Sequence, residues 1–386
     1  VPDNTDFYCP LYNQGLYIEK LNQTEAQVSM CCYQTPSEKL YSDVDFINND
    51  YLSSVRKTYA NGQAPVECNA CWRLEKLNYQ SYRQGAILSQ TVHQQSMHST
   101  TVLTNLLYNC ENVCNLKCII CGPRYSSLWK DDYKKLGYPI RDRTESKTKT
   151  KHNNIFSKLD FSKLENIHFQ GGEPFLTTDH KKILQKARND GSIGNLIVSY
   201  NTNGTMLPDQ ETIELWKQVK LVKIYFSIDS VGDSFNYVRF PADWKQVENN
   251  IVNGFFKITD INIVFSIGPT VNITNVFYIG DVINWVEKNI AYNLQGDSTE
   301  IYINPVGDVG YGGQVLNLKN LSHELQQRAL EYLDKFQYHK AIPPIMNSLS
   351  FVSQNPDNWI DYLNQIDQIR STNWQKALCQ LSQHIV

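Results

Sequence analysis

The chain has 386 residues, 41% apolar and 19% charged, which excludes a disordered or fibrous protein and allows one large domain with a smaller one. Lysine and arginine total 36 against 39 acidic residues, so the formal charge of −3 lacks the basic field of a typical nucleic-acid binder. No run reaches the roughly 18–20 consecutive apolar residues of a membrane span, and residues 1–30 lack a basic segment, apolar stretch and cleavage site in series. Neither a nucleic acid nor a membrane is an expected partner, and cytoplasm is the expected compartment. The chain begins at Val1, which leaves a removed leader open.

In chain order, residues 1–95 come first and are turn-rich, with short strands around Leu16-Tyr17-Ile18 and Val28-Ser29-Met30 and a helical stretch near 46–58. They read as a small appended domain held together by its cysteines. From residue 96 to 310, short apolar runs alternate with longer amphipathic stretches, the signature of repeated βα units and a largely parallel sheet. Strands are expected at about 102–108, 165–170, 194–200, 221–228, 260–267 and 299–304. Helices are expected near 123–136, 178–188, 209–218, 243–256, 276–290 and 321–336. Six such units predict an α/β fold of the partial (β/α)6, TIM-like barrel kind, with chemistry at the carboxyl ends of the strands. Residues 141–154 (RDRTESKTKTKHNN) read as a solvated loop. Residues 311–386 read as a helical carboxyl-terminal extension, able to cap one barrel opening.

Ten cysteines are too few for a disulfide-stapled scaffold of this length, and nine of them precede residue 122. Such clustering at short gaps points to metal ligation. Cys114, Cys118 and Cys121 share one eight-residue loop directly after the first strand of the βα series. Three thiolates hold three irons of a [4Fe–4S] cluster and leave the fourth iron open to a chelating small molecule. A zinc site short of one ligand, or buried unpaired thiols, are the plainer readings. Cys9, Cys31, Cys32, Cys68 and Cys71 form a second set, with Cys68-Asn69-Ala70-Cys71 a C-x2-C pair; by spacing it suits zinc or an iron–sulfur cluster equally. Cys110 reads as a small buried hydrophobe, and Cys379 as a lone tail thiol.

The C-x3-C-x2-C loop after the first strand resembles the radical S-adenosylmethionine (SAM) superfamily, and later segments fall at matching places. Gln170-Gly171-Gly172-Glu173-Pro174 after the second strand resembles that family's GGE motif; the resemblance implies that the backbone and Glu173 receive the methionine amino group of SAM. Asn201-Thr202-Asn203-Gly204 after the third strand occupies the position of the TNG segment near the ribose, so Asn201 and Asn203 are candidate contacts. Ser227 and Asp229 at the end of the fourth strand alternate onto one face as hydrogen-bonding groups for SAM. Arg239 resembles the family's arginine for the SAM carboxylate, to which a guanidinium fork is suited. Ile120 stands where the family often has an aromatic residue near the adenine, and the resemblance implies that its aliphatic side chain packs against the ring face in that residue's place. The segment 266–272 matches only loosely.

What the resemblance implies is an enzyme whose reduced cluster splits SAM into methionine and a 5′-deoxyadenosyl radical that takes hydrogen from an unactivated carbon. The amino-terminal cysteines resemble the twitch or half-SPASM domains of the same superfamily, which implies an auxiliary [4Fe–4S] cluster on Cys9, Cys32, Cys68 and Cys71 acting as an electron relay, with Cys31 structural. In many relatives that domain follows the barrel, whereas here the cysteines precede it. The expected function is modification of a ribosomally made precursor peptide by crosslinking, oxidation or epimerisation, with an external reductant such as flavodoxin or ferredoxin. The alternative is a radical SAM dehydrogenase or epimerase of a small molecule such as an amino-sugar. A zinc-binding interaction protein and a tRNA-modifying enzyme are further rivals.

Overall fold

The structure, a computed structural model, describes residues 9–12, 14–20, 26–39, 41, 46–76, 81–88, 102–140, 156, 158–289, 301, 304–305, 310–340, 342–349 and 358–385. Its elements run β1 (Gly15–Lys20), β2 (Ala26–Ser29), α1 (Asp50–Ala60), α2 (Asn69–Lys76), α3 (Tyr82–Leu88), β3 (Asn105–Asn109), α4 (Trp129–Leu136), β4 (Asn166–Gln170), α5 (Asp179–Asn189) and β5 (Ile197–Thr202). They continue through α6 (Gln210–Trp216), β6 (Leu221–Phe226), α7 (Gly232–Val238), α8 (Trp244–Asn249), β7 (Ile263–Ile267), β8 (Thr270–Val271), α9 (Ile279–Asn289), β9 (Asn304–Pro305), α10 (Gly310–Val315), α11 (His323–Asp334), α12 (Ile342–Ser348) and α13 (Asn358–Arg370). Two short turns of helix, α14 (Trp374–Ala377) and α15 (Cys379–Ser382), end the chain.

A seven-stranded, mostly parallel sheet has the order β2-β1-β3-β4-β5-β6-β7. From β3 onward each strand is added beside its predecessor in the chain, the order a partial barrel requires. The strands form where apolar residues alternate with others: Ile167 and Phe169 of β4, Val198 and Tyr200 of β5, and Val222, Ile224 and Phe226 of β6 are all buried. The intervening positions are more polar and less covered.

The amino-terminal strands do not stand apart as a sheet of their own. β1 lies parallel to β3, Leu16 opposite Leu106 and Ile18 opposite Tyr108, while β2 returns antiparallel along β1. The chain divides into two compact units, Val1–Glu111 with Arg143–Tyr200 and Gln210–Val222, and Asn112–Asp142 with Asn201–Asp209 and Lys223–Val386. This division crosses the expected boundaries at 95/96 and 310/311, because strand pairing binds residues 15–29 to β3 and tail residues bond directly to the 112–142 segment.

Of the sixth expected strand, 299–304, Ile301 and Asn304 are described, and both are paired. Ile301 makes a single parallel bridge to Ile267, and Asn304–Pro305 pairs with β8 in a separate two-stranded ladder. Residues 299, 300, 302 and 303, and the whole 141–154 segment, lie outside the described residues. The helix expected over 243–256 is α8 followed by a π turn at Asn250–Gly254 and a 3-10 turn at Phe255–Lys257.

Helix starts follow local chemistry. Asn49 accepts from the Leu52 amide at 2.8 Å at the head of α1, whose Leu52, Val55 and Tyr59 are buried at helical spacing. Ser322 does the same for α11 through the Leu325 amide. In α13 the buried positions are Trp359, Tyr362, Leu363, Ile366 and Arg370, one continuous face that ends in a charged residue. Among the described residues, no helix is long and apolar enough to cross a membrane.

Candidate active site

The loop from Cys114 to Cys121 has little regular structure, so its shape rests on what its backbone bonds to. The Lys117 and Ile119 amides donate to the carbonyls of Phe240 and Val238 at 2.6 and 2.8 Å, a short ladder that brings the segment around Arg239 beside the loop. Side chains take the loop carbonyls in turn. Ser126 Oγ donates to Leu116 at 2.6 Å, the Arg370 guanidinium to Lys117, Trp129 Nε1 to Cys118 at 3.2 Å and Tyr362 OH to Ile119 at 2.8 Å. Lys117 itself pairs with Asp132 of α4 at 2.6 Å. Buried backbone groups must be paired, and here they are paired by residues from three distant stretches of the same unit.

The three thiols stay partly open while the hydrophobic residues between them are buried: Leu116 and Ile119 pack inward, and Ile120 is half-buried. Burial pushes the Cys121 thiol well up, and the neighbouring Cys118 and Cys114 push it further. The Cys118 thiol is also raised by burial, against the pull of Arg239 and Arg370. Cys118 and Cys121 thus resist ionising in this loop, close to two guanidinium groups, and with Cys114 they form a donor set that suits a bound metal cluster.

Several expected ligands gather at this loop. Asn203 Nδ2 lies 3.9 Å from Cys114 Sγ and donates to Asn115 Oδ1 at 3.0 Å. The turn that presents it closes at Gly204, where φ is +73°, the left-handed conformation glycine adopts without strain. Arg239 Nη1 lies 3.9 Å from Cys118 Sγ, and its Nη2 pairs with Asp229 Oδ2 at 2.8 Å. The other Asp229 oxygen accepts from the Thr270 amide at 2.8 Å. Asp229 and Arg239 therefore form a buried pair with each other. Ser227 and Asn201 are half-buried at the ends of β6 and β5. Among the described residues, the buried Ser230 Oγ and Arg239 Nε have no hydrogen-bond partner. Unpaired buried polar atoms are uncommon, and the Arg239 Nε, on a guanidinium 3.9 Å from Cys118 Sγ, fits a polar ligand bound at the loop.

Glu173, Gly171 and Gly172 belong to the other unit. Gly171 has φ +120°, and a Cβ there would strike the Asn109 side chain and lie 2.7 Å from the Cys110 carbonyl, so β4 can leave the sheet beside β3 only with glycine at this point. Glu173 is fully buried and accepts from the Phe175 amide at 3.3 Å, capping a short turn at Pro174–Leu176.

The same unit holds the second cysteine set. Cys9, Cys68 and Cys71 are buried, Cys31 and Cys32 half-buried. Burial raises Cys9 to about 12, with Cys68 and Cys71 adding to it, and raises Cys68 to about 11, with Cys71 adding. Cys32 rises to about 12 by burial and by Cys71; Cys31 rises through burial and through Cys32, Cys9 and Cys68. All five thiols thus sit within electrostatic reach of others in one nest. Beside it, Arg83 forks onto Glu75, with an Nε–Oε1 distance of 3.0 Å, and stacks 4.7 Å from the Trp72 ring. Cys110 is buried as expected, and Cys379 is exposed. Among the described residues, no three His, Cys, Asp or Glu side chains are arranged around a single metal ion.

Four contributors were not anticipated: Ser126, Trp129, Tyr362 and Arg370, each bonded to a loop carbonyl. The signal for Arg370 was present as a charge on the apolar stripe of a predicted helix. A row of polar side chains across neighbouring strands, Asn105 opposite Asn166 and Asn109 opposite Gln170, with His168 opposite Ser199, was also legible only once register was known.

A family model described as the Radical SAM superfamily matches residues 108–270 of the chain. No curated protein matches. Among solved structures, histidine-tagged anSMEcpe with bound AdoMet is similar at a TM-score of 0.40 and 19% identity, over 65% of this chain and 60% of that one. Streptococcus suis SuiB bound to S-adenosylmethionine gives 0.37 and 13% over 84% and 69%, and SuiB bound to precursor peptide SuiA gives 0.37 and 12% over 92% and 78%. The chain spans 60% of the length of the first of these.

Proposed function

We propose that this enzyme binds a [4Fe–4S] cluster on Cys114, Cys118 and Cys121 and uses it to cleave SAM reductively. The observation that carries the reading is the convergence of Asn203 and Arg239 on the thiols of that loop, each 3.9 Å from a sulfur. Bound there, the cluster would supply the electron for reductive cleavage of SAM to methionine and a hydrogen-abstracting 5′-deoxyadenosyl radical.

The chain's own residues position and shield. Arg239, held by Asp229, offers a guanidinium edge to the SAM carboxylate. In the same unit, Asn201, Asn203 and Ser227 take ribose hydroxyls, and Ile120 covers the adenine. Leu116 and Ile119 exclude water from beneath the loop. In the amino-terminal nest, Cys9, Cys32, Cys68 and Cys71 would hold an auxiliary [4Fe–4S] cluster in a twitch-like setting, which would serve as an electron relay. An external flavodoxin or ferredoxin would deliver the first electron.

The substrate in this reading is a ribosomally made precursor peptide. The test is 5′-deoxyadenosine release by anaerobically reconstituted enzyme with SAM and a strong reductant. Stimulation by a candidate precursor peptide supports it. Stimulation by an amino-sugar and not by peptide would overturn the peptide reading in favour of small-molecule oxidation or epimerisation.

A further inference from the structure

We propose that Arg370, at the end of α13, is a positioning residue for the three-cysteine loop and that its positive charge raises the reduction potential of the cluster held there. This rests on the cluster reading above and goes beyond it, since α13 lies a hundred residues past the family-matched segment.

The geometry is specific. The guanidinium is sandwiched between the Trp129 ring, 4.8 Å from its centroid, and the Phe240 ring, at 5.0 Å. One edge donates to the carbonyl of Lys117, the residue directly before Cys118. Trp129 in turn donates to the Cys118 carbonyl, and Phe240 accepts from the Lys117 amide. Arg370 therefore locks both aromatic neighbours and the backbone that carries the central thiol.

Its electrostatic position is unusual. Arg370 is only 8% exposed, and among the described residues no carboxylate lies within ion-pair distance and its Nε and Nη1 have no hydrogen-bond partner. A buried cation outside ion-pair distance of any carboxylate carries a desolvation cost, which Asp132, itself paired with Lys117, offsets only from further away. A four-iron cluster on three thiolates is a net anion in either redox state, and it would add a countercharge. Reduction makes that anion more negative, so a nearby fixed cation favours the reduced form. Burial draws the Arg370 pKa down, while Tyr362, Tyr237, Asp132 and Cys118 draw it up, which places the guanidinium within electrostatic reach of the thiol.

The experiment compares the full chain with Arg370→Gln and Arg370→Lys after anaerobic reconstitution, reading iron per chain and the midpoint of the electron paramagnetic resonance signal that changes when SAM is added. Glutamine keeps a donor for the carbonyl and removes the charge; lysine keeps the charge and loses the planar fork. The expected result is a more negative midpoint for Arg370→Gln, so that at one fixed low potential its reduced fraction falls several-fold, and a midpoint near wild type for Arg370→Lys. Wild-type midpoints in both variants at full iron content would overturn the assignment. If Arg370→Gln does not fold by circular dichroism, Arg370→Lys carries the test: reduced iron occupancy at an unchanged midpoint supports the positioning role, and unchanged occupancy overturns it. A wild-type chain that takes up no iron would instead sink the cluster reading itself.

Discussion

Arg239 and Asp229, ten residues apart in sequence, face each other at 2.8 Å with Asp229 wholly buried. Both read from sequence as ligands for SAM, and the structure adds that each holds the other. Asp229 also receives the Thr270 amide, so one carboxylate ties the segment after β6 to β8 and aims the guanidinium at Cys118. Removing one partner leaves a buried charge uncompensated. Asp229→Asn is expected to cost about 3 kcal/mol in urea unfolding, and Arg239→Met added to it should cost less than the two single changes together. Additive costs would show that the pair is not coupled.

Gly171 and Gly62 both have positive φ, at +120° and +69°, but their surroundings differ. A Cβ at Gly62 meets nothing within 4 Å, whereas at Gly171 it meets Asn109 and the Cys110 backbone. Gly62→Ala should therefore cost only about 1 kcal/mol of backbone strain. Gly171→Ala adds a steric clash with the end of β3 and is expected to lose several times as much, read as a shift in thermal midpoint. Equal shifts would contradict the close approach of β3 and β4.

Tyr362→Phe removes one hydroxyl and leaves the buried Ile119 carbonyl without its donor. The expected cost is about 1–2 kcal/mol, measured by chemical denaturation of the metal-free chain. Gly312 closes the same spot, since a Cβ on it would collide with the Ile119 carbonyl and the Tyr362 hydroxyl. An undiminished Tyr362→Phe would mean that this contact does not hold the loop.

His168 on β4 has its pKa lowered from 6.5 to about 4 by burial. The unfolded chain takes up this proton as pH falls through 6.5, while the native state resists it until near 4, so stability declines across that window and is intact above it. The contribution grows to about 3 kcal/mol by pH 4. His168→Gln should lessen the acid sensitivity between pH 6.5 and 4 in unfolding curves. A variant as acid-sensitive as wild type would place the loss in other groups.

The βα alternation was legible because it rests on local periodicity: β4, β5 and β6 begin within three residues of the positions read from their apolar pattern. Sequence could not show that β1 joins β3, since register between segments ninety residues apart depends on long-range pairing. Asn203 and Arg239 were legible as family motifs, and their approach to Cys114 and Cys118 followed. The loop's anchors Tyr362 and Arg370 lie some 240 to 250 residues beyond it and have no motif to announce them. What marked Arg370 was a charged residue in register with Trp359, Leu363 and Ile366, a position that periodicity assigns to the interior.

The central claim, that the loop of Cys114, Cys118 and Cys121 is the cluster site, is tested most directly by iron and labile sulfide per chain after anaerobic reconstitution. Wild type is compared with the triple alanine variant of those cysteines and with Cys68→Ala. Two clusters predict about eight irons in wild type and about four in either variant, with 5′-deoxyadenosine formation lost in the triple variant. Iron content and SAM cleavage unchanged by loss of the three thiols would contradict the account.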